Sequence, residues 1–136
     1  MIDLERARAF LRDRRHGVLA TIRRDGRPQL SNILYVLDAD DGRLKISVTQ
    51  TRAKTKNLRR DPRAVLHVQG RDPWEYLVVD GTVELIEGDG LAEKLRDYYR
   101  KARGDHPDWA EYDGAMIKEQ RLLLSMSIDH AYGQLR

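Results

Sequence analysis

The residues with the most chemistry to offer lie in one stretch, Thr49-Gln50-Thr51-Arg52-Ala53-Lys54-Thr55-Lys56-Asn57. A strand with a polar face, Lys45, Ser47 and Thr49, runs there into a predicted helix, with Thr51 placed to act as its N-cap. The first N–H groups of a helix lack internal partners and sit at the positive end of its dipole, so they attract anions. Arg52 can grip two oxygens of a phosphate, and Lys54 adds a point charge. From Arg52 to Arg63 six basic residues stand against one acid, Asp61, a local excess greater than the net charge of +3 carried by the whole chain. A solvated basic helix face is the bland alternative; the polar-faced strand leading into the helix favours an anion site.

A second group is Gln29, Ser31 and Asn32, in an otherwise apolar strand. If buried they need hydrogen-bond partners, which a heterocycle with carbonyl and N–H edges supplies. If exposed they are simply an outer face, and both readings stand. Trp74, at a turn, is either a loop plug or an aromatic that reaches across a dimer to cover a flat ligand. Trp109 and Tyr112, at helical spacing, read as core. The histidines at positions 16, 67, 106 and 130 lack metal-ligand spacing, and the absence of cysteine removes thiolate sites and disulfides. No nucleophile elbow, P-loop or GxGxxG is present, which argues against hydrolase and P-loop chemistry and leaves no catalytic side chain assigned.

The elements that must position these residues follow from periodicity and turn chemistry. Helices are predicted over 4–14, with Asp3 as N-cap and Gly17 as terminator, and over 52–60, 91–102 and 108–120. Strands are predicted over 18–22, 27–37, 44–49, 64–69, 75–87 and 122–128, with Asp25-Gly26 as a hairpin turn. Gly81 inside the fifth strand suggests a bulge or a close backbone approach. Tight turns between the first three strands exclude a doubly wound sheet. The expected fold is mainly β with short α-helices, a six-stranded antiparallel barrel spanning residues 1–136 as one domain.

At 40% hydrophobic and 35% charged, so small a chain is polar enough to gain from burying further apolar surface in an oligomer. The charged start, Met1 to Arg6, does not read as a signal peptide, and no apolar run approaches the ~20 residues that span a bilayer, so a cytoplasmic location without membrane contact is expected. The basic run contains no aromatic residue, which argues against single-stranded nucleic acid as its partner.

Gly26-Arg27-Pro28-Gln29-Leu30-Ser31-Asn32, followed by Arg52-Ala53-Lys54-Thr55-Lys56-Asn57-Leu58 and the run to Arg63, resembles the pyridoxamine 5'-phosphate oxidase-like (PPOX-class) family. Those proteins have the FMN-binding split-barrel fold, and the resemblance is nearest to the branch that uses the deazaflavin coenzyme F-420. It implies a homodimer with cofactor clefts at the interface, a small-molecule substrate, and hydride transfer from the reduced cofactor. By the same resemblance the phosphate sits on Arg52, Lys54 and Thr55 within the Arg52-Ala53-Lys54-Thr55-x-Asn57 motif. The ring lies along Ser31 and Asn32, the segment Val48, Thr49, Gln50 and Thr51 meets ring and ribityl chain, and Trp74 approaches the cleft, from the partner if need be. Lys56, Arg59 and Arg60 suit the extended anionic tail of F-420 better than the single phosphate of FMN, the alternative cofactor. Full pyridoxamine phosphate oxidases carry a C-terminal arginine–histidine signature that is missing from Ser125 to Gly133, so pyridoxine chemistry is not expected.

Overall fold

Eight strands and four helices follow one another as α1 (Leu4–Arg12), β1 (His16–Ile22), β2 (Pro28–Leu34), β3 (Val36–Leu37), β4 (Leu44–Thr49), α2 (Ala53–Arg60), β5 (Arg63–Gln69), β6 (Tyr76–Ile86), α3 (Leu91–Arg103), α4 (Trp109–Lys118), β7 (Arg121–Met126) and β8 (His130–Gln134). The computed structural model describes residues 1–136. The strands pair antiparallel in the order β2-β1-β5-β6-β7-β4-β3, and β8 pairs with β6 off that path. β2 and β3 lie at opposite ends of this order, yet only Tyr35 separates them along the chain. The sheet must therefore curl until its ends meet, which makes a split barrel. Alternate side chains fill it: Leu19, Ile46, Leu66, Val79 and Leu124 are all at most 1% exposed.

Six strands were expected and eight form. The long second strand breaks at Tyr35, whose N–H donates to the Arg15 carbonyl at 2.7 Å and whose hydroxyl donates to the Leu11 carbonyl at 2.8 Å. Burial raises its phenol above the ordinary range. The last expected strand stops at Met126, and β8 follows it. β8 has one buried side chain, Ala131, and is a strand only because β6 pairs with it. Gly17 is no helix terminator: α1 ends at Arg12, and Gly17 lies within β1, where a Cβ would come to 2.9 Å from the His67 carbonyl oxygen.

β6 changes partners along its length. Tyr76–Asp80 pair with β8 and Val83–Ile86 with β7. Gly81 stands at the changeover, and a Cβ there would fall 1.9 Å from the Ser127 carbonyl oxygen, the close approach its position in the sequence suggests.

α3 and α4 form a hairpin over β3, β4 and β7, closed by a second core of Val36, Leu95, Tyr98, Tyr112 and Leu123. Tyr99 meets Tyr112 and Trp109 edge-on at 5.0 and 5.8 Å between ring centroids; Tyr112 is core as expected, and Trp109 packs partly buried against it. The hairpin is tied down by the Arg96–Asp113 ion pair and by Lys101, whose ammonium lies 2.8 Å from Asp38, 2.6 Å from Asp40 and 2.8 Å from Asp97. Lys45 keeps to the expected polar face of β4, opposite Leu44, Ile46 and Val48, but the hairpin covers that face. It is 8% exposed and buried against Asp38 at 2.9 Å and Asp41 at 2.7 Å. Burial alone would raise the Asp38 carboxyl, but the Lys101 and Lys45 ammoniums hold it down at about 2. No helix is long and apolar enough to cross a membrane.

Candidate functional site

α2 is anchored mainly through polar groups. The Thr55 hydroxyl donates to the Thr49 carbonyl at 2.8 Å, which ties the end of β4 to the first turn. The Asn57 amide donates to Thr21 Oγ1 at 3.1 Å and Gln29 Oε1 at 3.3 Å. Arg60 donates to the Ile22 carbonyl at 2.9 Å and to Asn57 Oδ1 at 3.1 Å. These bonds set the helix direction: its end lies by Ile22 and the start of β2, and its beginning points along β2 past Gln29 towards Ser31.

The N-cap is Arg52, not Thr51. It makes no side-chain capping bond, and the first turn holds no acid. This reverses the usual preference, since helix N-termini favour side-chain acceptors and negative charge. Half-buried Lys54 follows, its ammonium pushed below the ordinary lysine range by burial and then by the charges of Arg52 and Arg121. Nearby cations are already paired: Arg59 is bidentate to Glu87 at 2.7 Å for each bond, Arg63 meets Asp61 at 2.8 Å, and Arg121 meets Glu119 at 3.1 Å. Arg52, Lys54 and Lys56 have no carboxylate partner.

Lys54 lines a cleft of about 450 Å³ between the barrel and the α3–α4 hairpin, with Asn32, Ser47, Tyr98, Arg103 and Arg121. Ser31 precedes Asn32 on β2 and so faces the other side of the strand, in the inner row with Leu19, Leu66 and Val79, where its hydroxyl is buried without a hydrogen-bond partner. An uncapped helix start and a cluster of cations beside one cleft, with Asn32 in its lining, fit a phosphate-bearing ligand.

The expected site residues divide accordingly. Asn32 and Lys54 line the cleft, whereas Ser31 faces the barrel interior; Thr51, Arg52 and Ala53 are exposed on the approach to α2. Gln50 lines the neighbouring cavity. Val48, 1% exposed, belongs to the core, and the Thr49 carbonyl is taken by Thr55. Thr55 and Asn57 are 0% and 7% exposed and hold the helix in place, so within the protomer their side chains do not face the cleft. Trp74 is 71% exposed and outside the cleft lining; its turn is pinned by Glu75, which the Arg71 and Arg136 N–H groups hold at about 2. Tyr98, Arg103 and Arg121 went unnoticed in the sequence. They come from the hairpin and β7, and only the fold brings them to Lys54.

The family model described as Pyridoxamine 5'-phosphate oxidase matches residues 4–134. Among solved structures, a conserved hypothetical protein of Mycobacterium tuberculosis superposes with a TM-score of 0.74 at 22% identity, over 96% of this chain and 83% of that one. An F-420 reductase gives 0.70 at 23% identity over 93% and 95%. A FAD-binding protein of Mesorhizobium loti gives 0.65 at 21% identity over 96% and 90%. At these identities the likeness is one of fold, and the fold is the split barrel.

Proposed function

The chain belongs to the pyridoxamine 5'-phosphate oxidase family, and from that premise we propose that it is an oxidoreductase that holds coenzyme F-420 in the Lys54 cleft and reduces a small conjugated organic substrate. The observation that carries this reading is the start of α2, a helix N-terminus with no cap, no acid and two unpaired cations, Arg52 and Lys54. Such an arrangement is unfavourable until an anion arrives, and a cofactor phosphate is that anion.

When bound, reduced F-420 supplies the hydride. The chain's own part is to bind and orient. The first-turn N–H groups, Arg52 and Lys54 take the phosphate. The Asn32 amide offers hydrogen bonds to the ring edge. Lys56, unpaired, and Arg60, bonded to a carbonyl and an amide oxygen rather than to a carboxylate, extend the positive track for an anionic tail. The similar structure described as an F-420 reductase supports this choice. The neutralisation of Arg59 by Glu87 and Arg63 by Asp61 favours the second reading, FMN with its single phosphate.

The protein acts as a homodimer in this reading, its second copy seated on the outer face of the β2-β1-β5-β6-β8 sheet. The strand registers place Asn32, Val18, His67, Val78 and Tyr132 in one row across that face, with Leu30 in the adjoining row. Leu30 is 65% and Tyr132 43% exposed, an apolar surface that borders the cleft at Asn32.

Isothermal titration of wild type and Lys54→Ala with F-420 and with FMN tests the proposal. Tighter binding of F-420 than FMN, weakened about tenfold or more by the substitution, is the expected result, since one charge-assisted contact accounts for about 1.5–3 kcal/mol. Preference for FMN transfers the protein to the second reading, and binding of neither overturns both.

A further inference from the structure

A second cavity, of about 460 Å³, opens between the start of α3, α4 and β7. That volume is ordinary for a small-molecule site, within roughly 300–1,000 Å³. Its floor is apolar, formed by Leu91, Leu95, Met116 and Leu122, and Gln50, Gln120 and Arg121 also line it. Met116 and Arg121 also line the Lys54 cleft, so the two spaces share a wall.

The charges around the cavity are unequal in availability. Glu87 is bidentate to Arg59 and Asp113 is paired with Arg96, so both carboxylates are spent. Arg121 meets one oxygen of half-exposed Glu119 at 3.1 Å and donates to the Ser47 carbonyl at 3.4 Å; without the two-oxygen geometry of Arg59 and Glu87, such a pair contributes little. The cavity therefore presents one weakly paired cation above an apolar floor.

Gln120 adds an independent sign. It is the one non-glycine residue with positive φ, 56°, at the end of α4, where glycine is the usual occupant. Its carbonyl accepts the Gln50 N–H at 2.9 Å, which brings the two residues together beside the cavity. A non-glycine residue held in a left-handed conformation beside a cavity is a pointer to function.

We infer that this cavity binds an elongated amphipathic carboxylate, its apolar body over Leu91, Leu95, Met116 and Leu122 and its head on Arg121 and the two glutamine amides. The site lies behind the wall it shares with the Lys54 cleft, so it is separate from the cofactor cleft, and the binding itself requires no cofactor.

The probes are decanoate, decylamine and butyrate below their micellar concentrations, titrated into wild type, Ala92→Phe and Arg121→Gln, with F-420 titrated into the same preparations. Ala92 is an exposed residue of the cavity wall, so phenylalanine there fills the space without entering the core. Wild type is expected to bind decanoate at least tenfold more tightly than decylamine or butyrate. Ala92→Phe should lose that binding at least tenfold while holding F-420 within twofold, which also shows that the variant folds. Arg121→Gln should erase the preference for decanoate over decylamine. Failure of wild type to bind decanoate, or equal binding of decanoate and decylamine, by protein that binds F-420 overturns the inference alone. Selective decanoate binding by protein that ignores F-420 sustains the carboxylate site and sinks the cofactor reading.

Discussion

Lys54 holds its charge half-buried beside two other cations, and its ammonium loses its proton more easily than an exposed lysine does. Anion binding favours the protonated form, so the pKa rises on binding. Affinity for an anionic cofactor should therefore fall as pH rises through the lowered value, below the ordinary 10.5, and Lys54→Arg should flatten that fall because a guanidinium stays charged. Titrations at a series of pH values check this, and a profile flat in wild type would remove Lys54 from the anion site. Thr55 and Asn57 show the limit of reading single residues from a motif. Both belong to the stretch that carries the family resemblance, yet their polar atoms bond to Thr49, Thr21 and Gln29. They shape the site by holding the helix that makes it.

At the scale of the element, α2 has 8 residues, and helices this short are marginal on their own. Its tertiary bonds allow it to keep an uncapped start. Arg52→Asp would supply both a side-chain acceptor and a favourable charge for the dipole, so it should stabilise the unliganded protein by about 1 kcal/mol. The same change should weaken cofactor binding more than tenfold. Thermal melts and titrations on one preparation test the pair of effects, and a rise in stability with undiminished affinity would mean that the helix start meets no anion. The charges of this segment were legible in the sequence because they are consecutive. The capping residue was not, since Thr51 and Arg52 differ by one position and β4 sets where the turn begins.

For the whole molecule, the outer sheet face and the cleft meet at β2, where Leu30 and Asn32 are two residues apart on one face. Leu30→Arg places a charge on the proposed dimer surface at a position already 65% exposed, so the protomer fold should be undisturbed. Wild type is expected to sediment at twice the 15.8 kDa chain mass and the variant at that mass itself, with a loss of cofactor affinity if the partner completes the cleft. A wild-type monomer that binds cofactor fully would end the dimer proposal.

By itself the sequence determined the features that depend on neighbours along the chain. These are the period-two alternation of the strands, the cap of α1 at Asp3, the turn at Gly26, the concentration of cations from Arg52 onward and the special position of Gly81. Tertiary structure decided what depends on distant partners. Tyr35 breaks a strand that looks continuous because one barrel requires β2 and β3 at opposite ends of its sheet order. β8 exists through its pairing with β6, and Lys45 is buried because the α3–α4 hairpin covers its face of β4, where Asp38 and Asp41 pair with it. Arg121 reaches the site because β7 pairs with β4, joining residues 49 and 121 across the sheet. Backbone and dipole effects act over a few residues and leave local signatures, whereas pairing and burial join segments whose separation no short pattern records.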